Sequence, residues 1–250
     1  MVIPVGDVNP AQRTPWITRL LLLGTLAVFF LAQPWTADRC TQAQFYVEWA
    51  AIPAELTQGA PLDAEQLTRG PLGACDLEPV PDKSLALSVL ASLVLHGDVL
   101  HLLGNMLFLW IFGNNIEDRF GHLRYLGLYV LWGVAATGVF VAANPVSTSV
   151  LIGASGAIAG VLGSYFILYP GARVTVVVLP LFFLTLQVPA VIVLGLWFLW
   201  ELRAAGAEEV AAGGVAYLAH VAGFVAGAVT ALWSRVHRRR RRPRRRRRRP

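Results

Sequence analysis

The sequence predicts an all-α polytopic membrane protein with six transmembrane helices and a large extracytoplasmic loop after the first helix. Hydrophobic residues make up 56% of the 250 residues and charged residues only 14%, whereas a soluble domain carries about 25% charged residues. The mean hydropathy is +0.56, and the apolar residues fall into six separate stretches. Because a membrane span needs about 20 apolar residues, these stretches indicate one helical bundle.

The fifth of these stretches, residues 174–200, is too long for a single span and contains Pro180 and Pro189. We interpret residues 174–188 as an interfacial or re-entrant segment and residues 189–201 as a short helix. The first stretch would also fit a signal peptide, but no clear cleavage site follows it, so we favour a retained helix. The remaining predicted spans are residues 16–32, 85–112, 123–143, 151–169 and 215–233.

The distribution of basic residues predicts the orientation of the chain. The side that holds both termini carries 17 basic and 3 acidic residues, and the other side carries 4 basic and 12 acidic residues. Since loops rich in Arg and Lys stay in the cytoplasm, both termini are predicted to be cytoplasmic, and we expect the plasma membrane of a bacterium. The predicted parts are a cytoplasmic N-terminus (1–15), a six-helix domain (16–235) with its outer loop (33–84), and a disordered cytoplasmic tail (236–250).

The net charge of +6 comes from the tail, because 11 of the 21 basic residues are arginines that follow His237. In the rest of the chain, 10 basic residues are outnumbered by 15 acidic ones. We therefore predict no nucleic-acid partner. The tail is expected to bind anionic lipid headgroups, and it also reinforces the topology.

The two cysteines, Cys40 and Cys75, lack the spacing of a metal site, so we predict neither a metal nor a cofactor. Both lie in the outer loop, where an oxidising compartment would permit a disulfide. Sequence does not give the Cα separation that a bridge requires, so a disulfide and two buried free thiols remain equally open.

Four polar residues lie in apolar stretches, where polar side chains are costly and indicate a functional site. Ser155 lies in Gly-Ala-Ser-Gly, His220 lies 65 residues later in Ala-His-Val-Ala-Gly, and His101 and Asn105 share one helix face. Together they supply a nucleophile, a base and two oxyanion donors, which are the components of acyl transfer. No acidic residue is expected to complete a triad, so we predict a Ser–His dyad.

Each of these residues also has a structural interpretation when it is taken alone. The spacings of Gly156 with Gly160 and of Gly223 with Gly227 are typical of closely packed helices. A lone intramembrane histidine is often a structural group or a proton relay. His101 and Asn105 would also fit interhelical hydrogen bonds, and His96 is expected to be a structural hydrogen-bond partner near the outer boundary.

Four motifs, in this order, resemble those of rhomboid intramembrane serine proteases: HLLGNM from His101, EDRFG from Glu117, GASG from Gly153 and AHVAG from Ala219. The resemblance covers roughly residues 10–235. It implies a rhomboid-like six-helix bundle whose active site opens to the extracytoplasmic face. The loop after the first span would then be embedded in the membrane.

The resemblance also assigns roles to individual residues. It implies that Ser155 is the nucleophile, that His220 is the general base, and that His101 and Asn105 donate to the oxyanion together with the Ser155 backbone N–H. Some members stack an aromatic residue on the imidazole from the position of Ala159 here, so the orientation of His220 is open. Structural roles are expected for Glu117, Arg119, Gly153, Gly156, Gly223 and Gly227, and a gating role for Trp197, Phe198 and Trp200 with the cap at 203–214.

The predicted function is that of a serine endopeptidase acting on single-span membrane proteins, within or near the outer part of their transmembrane segment. Substrates are expected to carry small or helix-breaking residues there, because helical carbonyls are already hydrogen-bonded. Three alternatives are open: a rhomboid-like binder of transmembrane clients without proteolysis, a small transporter or channel, and a structural scaffold. The absence of an evident inverted repeat disfavours a transporter.

Overall fold

The computed structural model describes residues 2–9, 11–69, 73–178, 184–207 and 216–241. The helices of this part are α1 (Trp16–Ala27, continued by a π-helical turn at Val28–Ala32), α2 (Arg39–Trp49), α3 (Pro53–Gln58), α4 (Ala64–Leu67), α5 (Leu85–Ser92), α6 (Val99–Phe120), α7 (His122–Ala143), α8 (Ser155–Leu168), α9 (Ala190–Ala207) and α10 (Tyr217–Arg241). The strands are β1 (Val2–Asp7), β2 (Arg173–Val178) and β3 (Thr185–Pro189).

The described residues include apolar helices of membrane-spanning length. Three helices are long and apolar enough to cross a bilayer, namely α6, α7 and α10 as far as His237. Two shorter apolar helices, Trp16–Ala32 and α8, accompany them. The protein is therefore mostly helical, as predicted, while the count of six spans stays a prediction.

The apolar stretch at 85–112 was predicted to be one span, and this is wrong. The structure divides it into α5 and α6, with a bend at His96–Gly97–Asp98 between them. Asp98 begins the second helix, because its carboxylate accepts a hydrogen bond from the His101 N–H at 2.8 Å. The helix then continues to Phe120, through residues that were expected to form a loop, and ends at Gly121 with a φ of 82°. This φ favours glycine, which has no Cβ to clash.

A three-stranded antiparallel sheet corrects the prediction of an all-α fold. Strand β2 lies in the middle, with Ile3 of β1 opposite Val177 and Gln187 of β3 opposite Thr175. The β-branched residues of β2 favour a strand, and Val174 and Val176 are buried against the helices. Thus the segment expected to be interfacial or re-entrant forms two strands, although residues 179–183, with Pro180, lie outside the described residues.

Two helices extend further than the sequence predicted. Helix α9 begins after Pro189 and continues to Ala207, because the residues that follow Trp200 include good helix formers. Glu201, predicted to be the last residue of this helix, therefore lies within it. Helix α10 continues to Arg241, into the tail that was expected to be disordered. Residues 208–214 of the expected cap and the tail beyond 241 lie outside the described residues.

Helix α8 lies at the centre of the bundle. Every residue from Gly156 to Tyr165 is buried, and the helix contacts α6, α7, α9 and α10. A helix that is apolar on all sides is typical of such a central position. Ser155 is its first residue, so this helix fixes the position of Ser155 relative to the surrounding helices.

The end of α8 opposite to Ser155 is fixed by a polar network that the sequence did not reveal. Asp7 on β1 accepts hydrogen bonds from the Tyr165 hydroxyl at 2.6 Å and from the Asn115 amide at 2.8 Å. Burial raises the pKa of the Asp7 carboxyl, while these two hydrogen bonds oppose the rise. The network joins the N-terminal strand to α6 and α8.

Glu117 stabilises the start of α1 from the neighbouring helix α6. Its buried carboxylate accepts hydrogen bonds from the Ile17 N–H at 2.9 Å and from the Thr18 N–H and hydroxyl at 2.7 Å each. The first N–H groups of a helix lack intrahelical partners, and an acidic group at that end also interacts favourably with the helix dipole. Glu117 therefore acts as a cap supplied from another helix.

The segment between α1 and α5 forms a small structure with its own core. Its buried side chains are Val47, Ile52, Ala54, Leu62, Leu67 and Leu77. A disulfide joins Cys40 to Cys75, with the Cα atoms 5.4 Å apart. This segment is hydrogen-bonded to the residues that precede Ser155, because the Leu151 N–H donates to the Ala51 carbonyl at 2.8 Å. The Ala51 N–H also donates to Ser92 Oγ, on α5, at 2.7 Å.

A Cys40→Ser/Cys75→Ser double substitution removes this disulfide, and the segment between α1 and α5 is then expected to unfold locally more often. The bridge closes a segment of 35 residues, and its loss costs about 2–4 kcal/mol through the larger entropy of the open chain. Limited proteolysis in detergent measures this opening. A reductant should accelerate cleavage of the wild-type loop and leave the double variant unchanged; equal resistance of the oxidised and reduced wild type would contradict the expectation.

Candidate active site

Ser155 and His220, which are 65 residues apart in the sequence, are in hydrogen-bond contact in the structure. Ser155 Oγ lies 2.7 Å from His220 Nε2. Ser155 begins α8, and His220 is in the first turn of α10, where its side chain is 11% exposed. This contact has the geometry that a nucleophilic serine and its general base require.

The contact depends on a very close approach of α8 and α10. A Cβ added at Gly223 would lie 2.1 Å from the Gly156 carbonyl oxygen, and one added at Gly227 would lie 1.8 Å from the Gly160 carbonyl oxygen. Both distances are far shorter than a van der Waals contact, so neither position of α10 has room for a side chain. The glycines therefore allow the two backbones to touch and bring Ser155 and His220 together.

A buried carboxylate contacts the other ring nitrogen of His220. Glu201 Oε2, on α9, lies 2.8 Å from His220 Nδ1, and Glu201 is 6% exposed. The prediction that no acidic residue accompanies the histidine is therefore wrong. Sequence reasoning made Glu201 the last residue of the short helix at 189–201 and gave it no role; the available signal was its position four residues after Trp197, and so on the same helix face.

Two aromatic rings also contact the imidazole of His220. The Trp197 ring is stacked on it, with centroids 6.3 Å apart and planes at 29°, and Tyr217 makes an edge contact at 6.4 Å. The position where some family members carry an aromatic residue is occupied by Ala159, which is buried against α10. Only 3.2 Å would separate its Cβ from a Cβ at Gly223. The stacking contact on the His220 ring therefore comes from Trp197 of α9 and not from α8.

His101 and Asn105 lie on α6, beside the backbone that leads into Ser155. A Cβ added at Gly153 would lie 2.8 Å from His101 Nε2 and 3.5 Å from Ser155 Oγ, so Gly153 separates these two side chains. Its φ of 121° also favours glycine. Asn105 is 7% exposed, and its Nδ2 has no hydrogen-bond partner within the described part of the chain. A buried amide without a partner is available to donate to a ligand oxygen.

His96 is held in place behind His101. Its backbone carbonyl accepts hydrogen bonds from the Gln33 amide and the Tyr46 hydroxyl, both at 2.9 Å, and its backbone N–H donates to Gln33 Oε1 at 3.0 Å. The His96 ring makes an edge contact with the His101 ring at 5.0 Å. These contacts restrict the orientation of His101.

The three residues proposed as a gate occupy different positions on α9. Trp197 contacts His220, and Phe198 stacks on Phe224 of α10 with centroids 4.5 Å apart. Trp200, in contrast, is 65% exposed. The structure thus brings two of the three aromatic residues to the interface between α9 and α10.

The apolar helices indicate an integral membrane protein. A family profile described as Rhomboid domain matches residues 85–236, which is more than half of the chain. The match includes Ser155, His220, His101 and Asn105. The chain therefore belongs to the rhomboid family.

Curated relatives agree with this family. The chain is 30% identical over 155 residues to RHOMBOID-like protein 1 of Arabidopsis thaliana, covering 60% of this chain and 39% of the relative. It is 27% identical over 161 residues to the mitochondrial RHOMBOID-like protein 6 of the same plant, covering 61% and 51%. It is also 36% identical over 97 residues to Rhomboid-like protease 5 of Toxoplasma gondii, covering 37% and 11%. The chain thus spans about half or less of the length of these relatives.

Proposed function

We propose that this protein is an intramembrane serine endopeptidase, which cleaves single-span membrane proteins within or near the outer part of their transmembrane segment. The observation that carries the proposal is the 2.7 Å contact between Ser155 Oγ and His220 Nε2. Family membership supports it, because rhomboid proteins are generally serine intramembrane proteases. The Toxoplasma gondii relative is itself named a protease.

The proposed reaction is acyl transfer to Ser155. Its Oγ attacks the carbonyl carbon of the scissile peptide bond while His220 Nε2 removes the hydroxyl proton. The tetrahedral intermediate collapses, the C–N bond breaks, and the leaving amine takes the proton from Nε2. Water then attacks the acyl ester, with His220 again accepting a proton, and the acid product leaves with Ser155 restored.

The negative oxygen of the intermediate would be stabilised from α6 and from the start of α8. Asn105 Nδ2 is buried without a partner in the described residues, and His101 Nε2 lies beside Gly153. The backbone N–H of Ser155 belongs to the first turn of α8, where N–H groups lack intrahelical partners. Donors held in advance around the developing charge stabilise the transition state more than the substrate.

The short length of α8 supports a site below the membrane surface. Its 14 residues span about 21 Å, whereas the hydrocarbon core of a bilayer is about 30 Å thick. With the other end of α8 near one boundary, Ser155 lies inside the bilayer, and water must reach it through a polar cavity that opens to the outer side. Substrates must unwind locally there, because helical carbonyls are already hydrogen-bonded.

The proposed topology places both termini in the cytoplasm and the loop between α1 and α5 outside. The disulfide between Cys40 and Cys75 supports this orientation, since such bonds persist in oxidising compartments. The excess of basic residues on the opposite side agrees with the same orientation.

Reaction with a fluorophosphonate tests the proposed nucleophile without any knowledge of the substrate. In liposomes, the probe should label Ser155, as identified by mass spectrometry, and His220→Ala should abolish labelling. Ser164→Ala is a matched control, because Ser164 is a buried serine of the same helix whose hydroxyl donates to the Gly227 carbonyl at 3.0 Å. Labelling that is absent in the wild type, or that survives His220→Ala unchanged, would contradict the proposal.

Substituting Asn105 by alanine is expected to lower kcat by about 10–10³-fold, because one oxyanion donor is lost. KM should change little, since the donor acts mainly in the transition state. Steady-state kinetics in proteoliposomes measures both constants. Asn114→Ala removes an amide from the same helix about 14 Å further along its axis, and it should leave kcat near that of the wild type. A rise in KM with an unchanged kcat would contradict the assigned role.

A further inference from the structure

A Ser–His pair alone leaves the Nδ1 side of the imidazole unassigned, yet in this protein a carboxylate occupies that side. Glu201 Oε2 and His220 Nδ1 are 2.8 Å apart, while His220 Nε2 and Ser155 Oγ are 2.7 Å apart. The three side chains come from three helices, α8, α9 and α10. They form a continuous chain from carboxylate to imidazole to hydroxyl.

Because Glu201 is buried, its carboxylate needs a hydrogen-bond partner inside the protein. Its side chain is 8% exposed, and an ionised carboxylate is costly to bury without a partner. Within the described part of the chain, His220 is the one side chain that makes a hydrogen bond or ion pair with the Glu201 carboxylate. The hydrogen bond to His220 Nδ1 therefore offsets part of the cost of burying the Glu201 carboxylate.

The hydrogen-bonding capacities of the three groups assign the proton on His220. An ionised carboxylate only accepts hydrogen bonds, so Nδ1 carries the hydrogen and donates it to Glu201. Nε2 of the neutral ring is then left with a lone pair facing the Ser155 hydroxyl. This is the tautomer that a general base for Ser155 needs.

Helix α9 also fixes the plane of the imidazole. Trp197 lies one helical turn before Glu201, and its ring is stacked on the His220 ring. Phe198 stacks on Phe224 at 4.5 Å and joins α9 to α10 just beyond the histidine. The same helix thus restrains the ring through a stacking contact on its face and a hydrogen bond at its edge.

We propose that Glu201 is a positioning residue that completes a Ser–His–Glu triad, an inference that rests on the proposed peptidase function. It holds the Nδ1–H tautomer and directs Nε2 at Ser155. When the Ser155 proton moves to Nε2, the ring becomes an imidazolium, which the adjacent carboxylate stabilises. Glu201 keeps its charge throughout, and the proton leaves with the amine.

A merely structural role for Glu201, as a link between α9 and α10, makes a different prediction. Glutamine has the same shape, and its carbonyl oxygen still accepts the Nδ1–H hydrogen bond, so Glu201→Gln preserves the link. It removes the negative charge that stabilises the imidazolium. A structural link therefore predicts a functional Glu201→Gln variant, whereas a triad predicts a folded variant with slow chemistry.

The experiment is a kinetic comparison of Glu201→Gln, Glu201→Asp and the wild type in proteoliposomes, with thermal unfolding measured in detergent. For Glu201→Gln we expect kcat to fall on the order of 10²–10⁴-fold, with KM and Tm close to those of the wild type. Glu201→Asp keeps the charge on a shorter side chain and should recover part of the loss. Glu48→Gln on α2 is the matched control, because it makes the same change at an exposed residue outside the site.

Two outcomes would overturn the proposal. One is a Glu201→Gln variant that keeps at least half of the wild-type kcat. The other is a fall in kcat that is proportional to the fall in Tm in both variants. In that case Glu201→Asp, which keeps the charge, would be no more active than Glu201→Gln. Neither outcome affects the proposed peptidase function, because fluorophosphonate labelling of Ser155 in the wild type tests that function separately.

Discussion

Replacing His220 with alanine is expected to reduce peptide-bond cleavage by about 10⁴–10⁶-fold, since the members of a catalytic triad act as a unit. Without Nε2 at 2.7 Å, none of the described side chains is left in hydrogen-bond contact with Ser155 Oγ to take its proton. The fold should survive with a loss of stability, because alanine fits the first turn of α10 but leaves the buried Glu201 carboxylate without its imidazole partner. Initial rates of substrate cleavage in proteoliposomes measure the effect.

His237 provides a matched control for this substitution. It lies on α10 like His220 but is exposed, and its ring contacts the Trp233 carbonyl. His237→Ala should therefore cleave at the wild-type rate. If His220→Ala kept more than a tenth of the wild-type activity, then His220 would not be the general base.

Gly227→Ala is expected to have the largest effect on the fold. The new Cβ would lie 1.8 Å from the Gly160 carbonyl oxygen, and a backbone atom of a buried helix has no rotamer by which to move away. Overpacking costs about 1–3 kcal/mol where side chains can adjust, so we expect a loss of about 3 kcal/mol or more. Any outward shift of α10 also separates His220 from Ser155, so that cleavage should be lost together with stability.

Gly138→Ala distinguishes this steric effect from the general effect of glycine in a helix. Gly138 lies on α7, and a Cβ added there meets nothing within 4 Å. The substitution should leave stability unchanged or raise it by about 0.5–1 kcal/mol, since glycine is a poor helix former. Thermal unfolding in detergent measures both variants, and equal Tm values for the two would show that the close contact of α8 and α10 is unimportant.

The parts of the site that sequence could predict are those whose residue types are improbable in a membrane. Ser155, His220 and Asn105 are polar residues in apolar stretches, and the glycines at 223 and 227 indicated a close helix contact. Glu201 lacked this signal, because it stands at the end of an apolar run, two residues before the charged Arg203. Its contact with His220 depends on how α9 packs against α10, which no local pattern encodes.

The errors in the predicted fold have similar physical causes. Hydropathy alone does not separate strand from helix, so the β-branched run in β2 was included in the fifth apolar stretch. The bend before α6 had a local signal, Gly97 followed by the capping residue Asp98, which the apolar residues around it obscured. The pairing of Cys40 with Cys75 depends on a Cα separation of 5.4 Å that only the folded loop establishes.

The most direct test of the account is the cleavage of a tagged single-span membrane protein in proteoliposomes by the wild type, Ser155→Ala and Ser164→Ala. Substrates with helix-breaking residues near the outer boundary should be used, since local unwinding is required. The account predicts cleavage by the wild type and by Ser164→Ala, and none by Ser155→Ala. Cleavage that survives Ser155→Ala would contradict the central claim that Ser155 is the nucleophile.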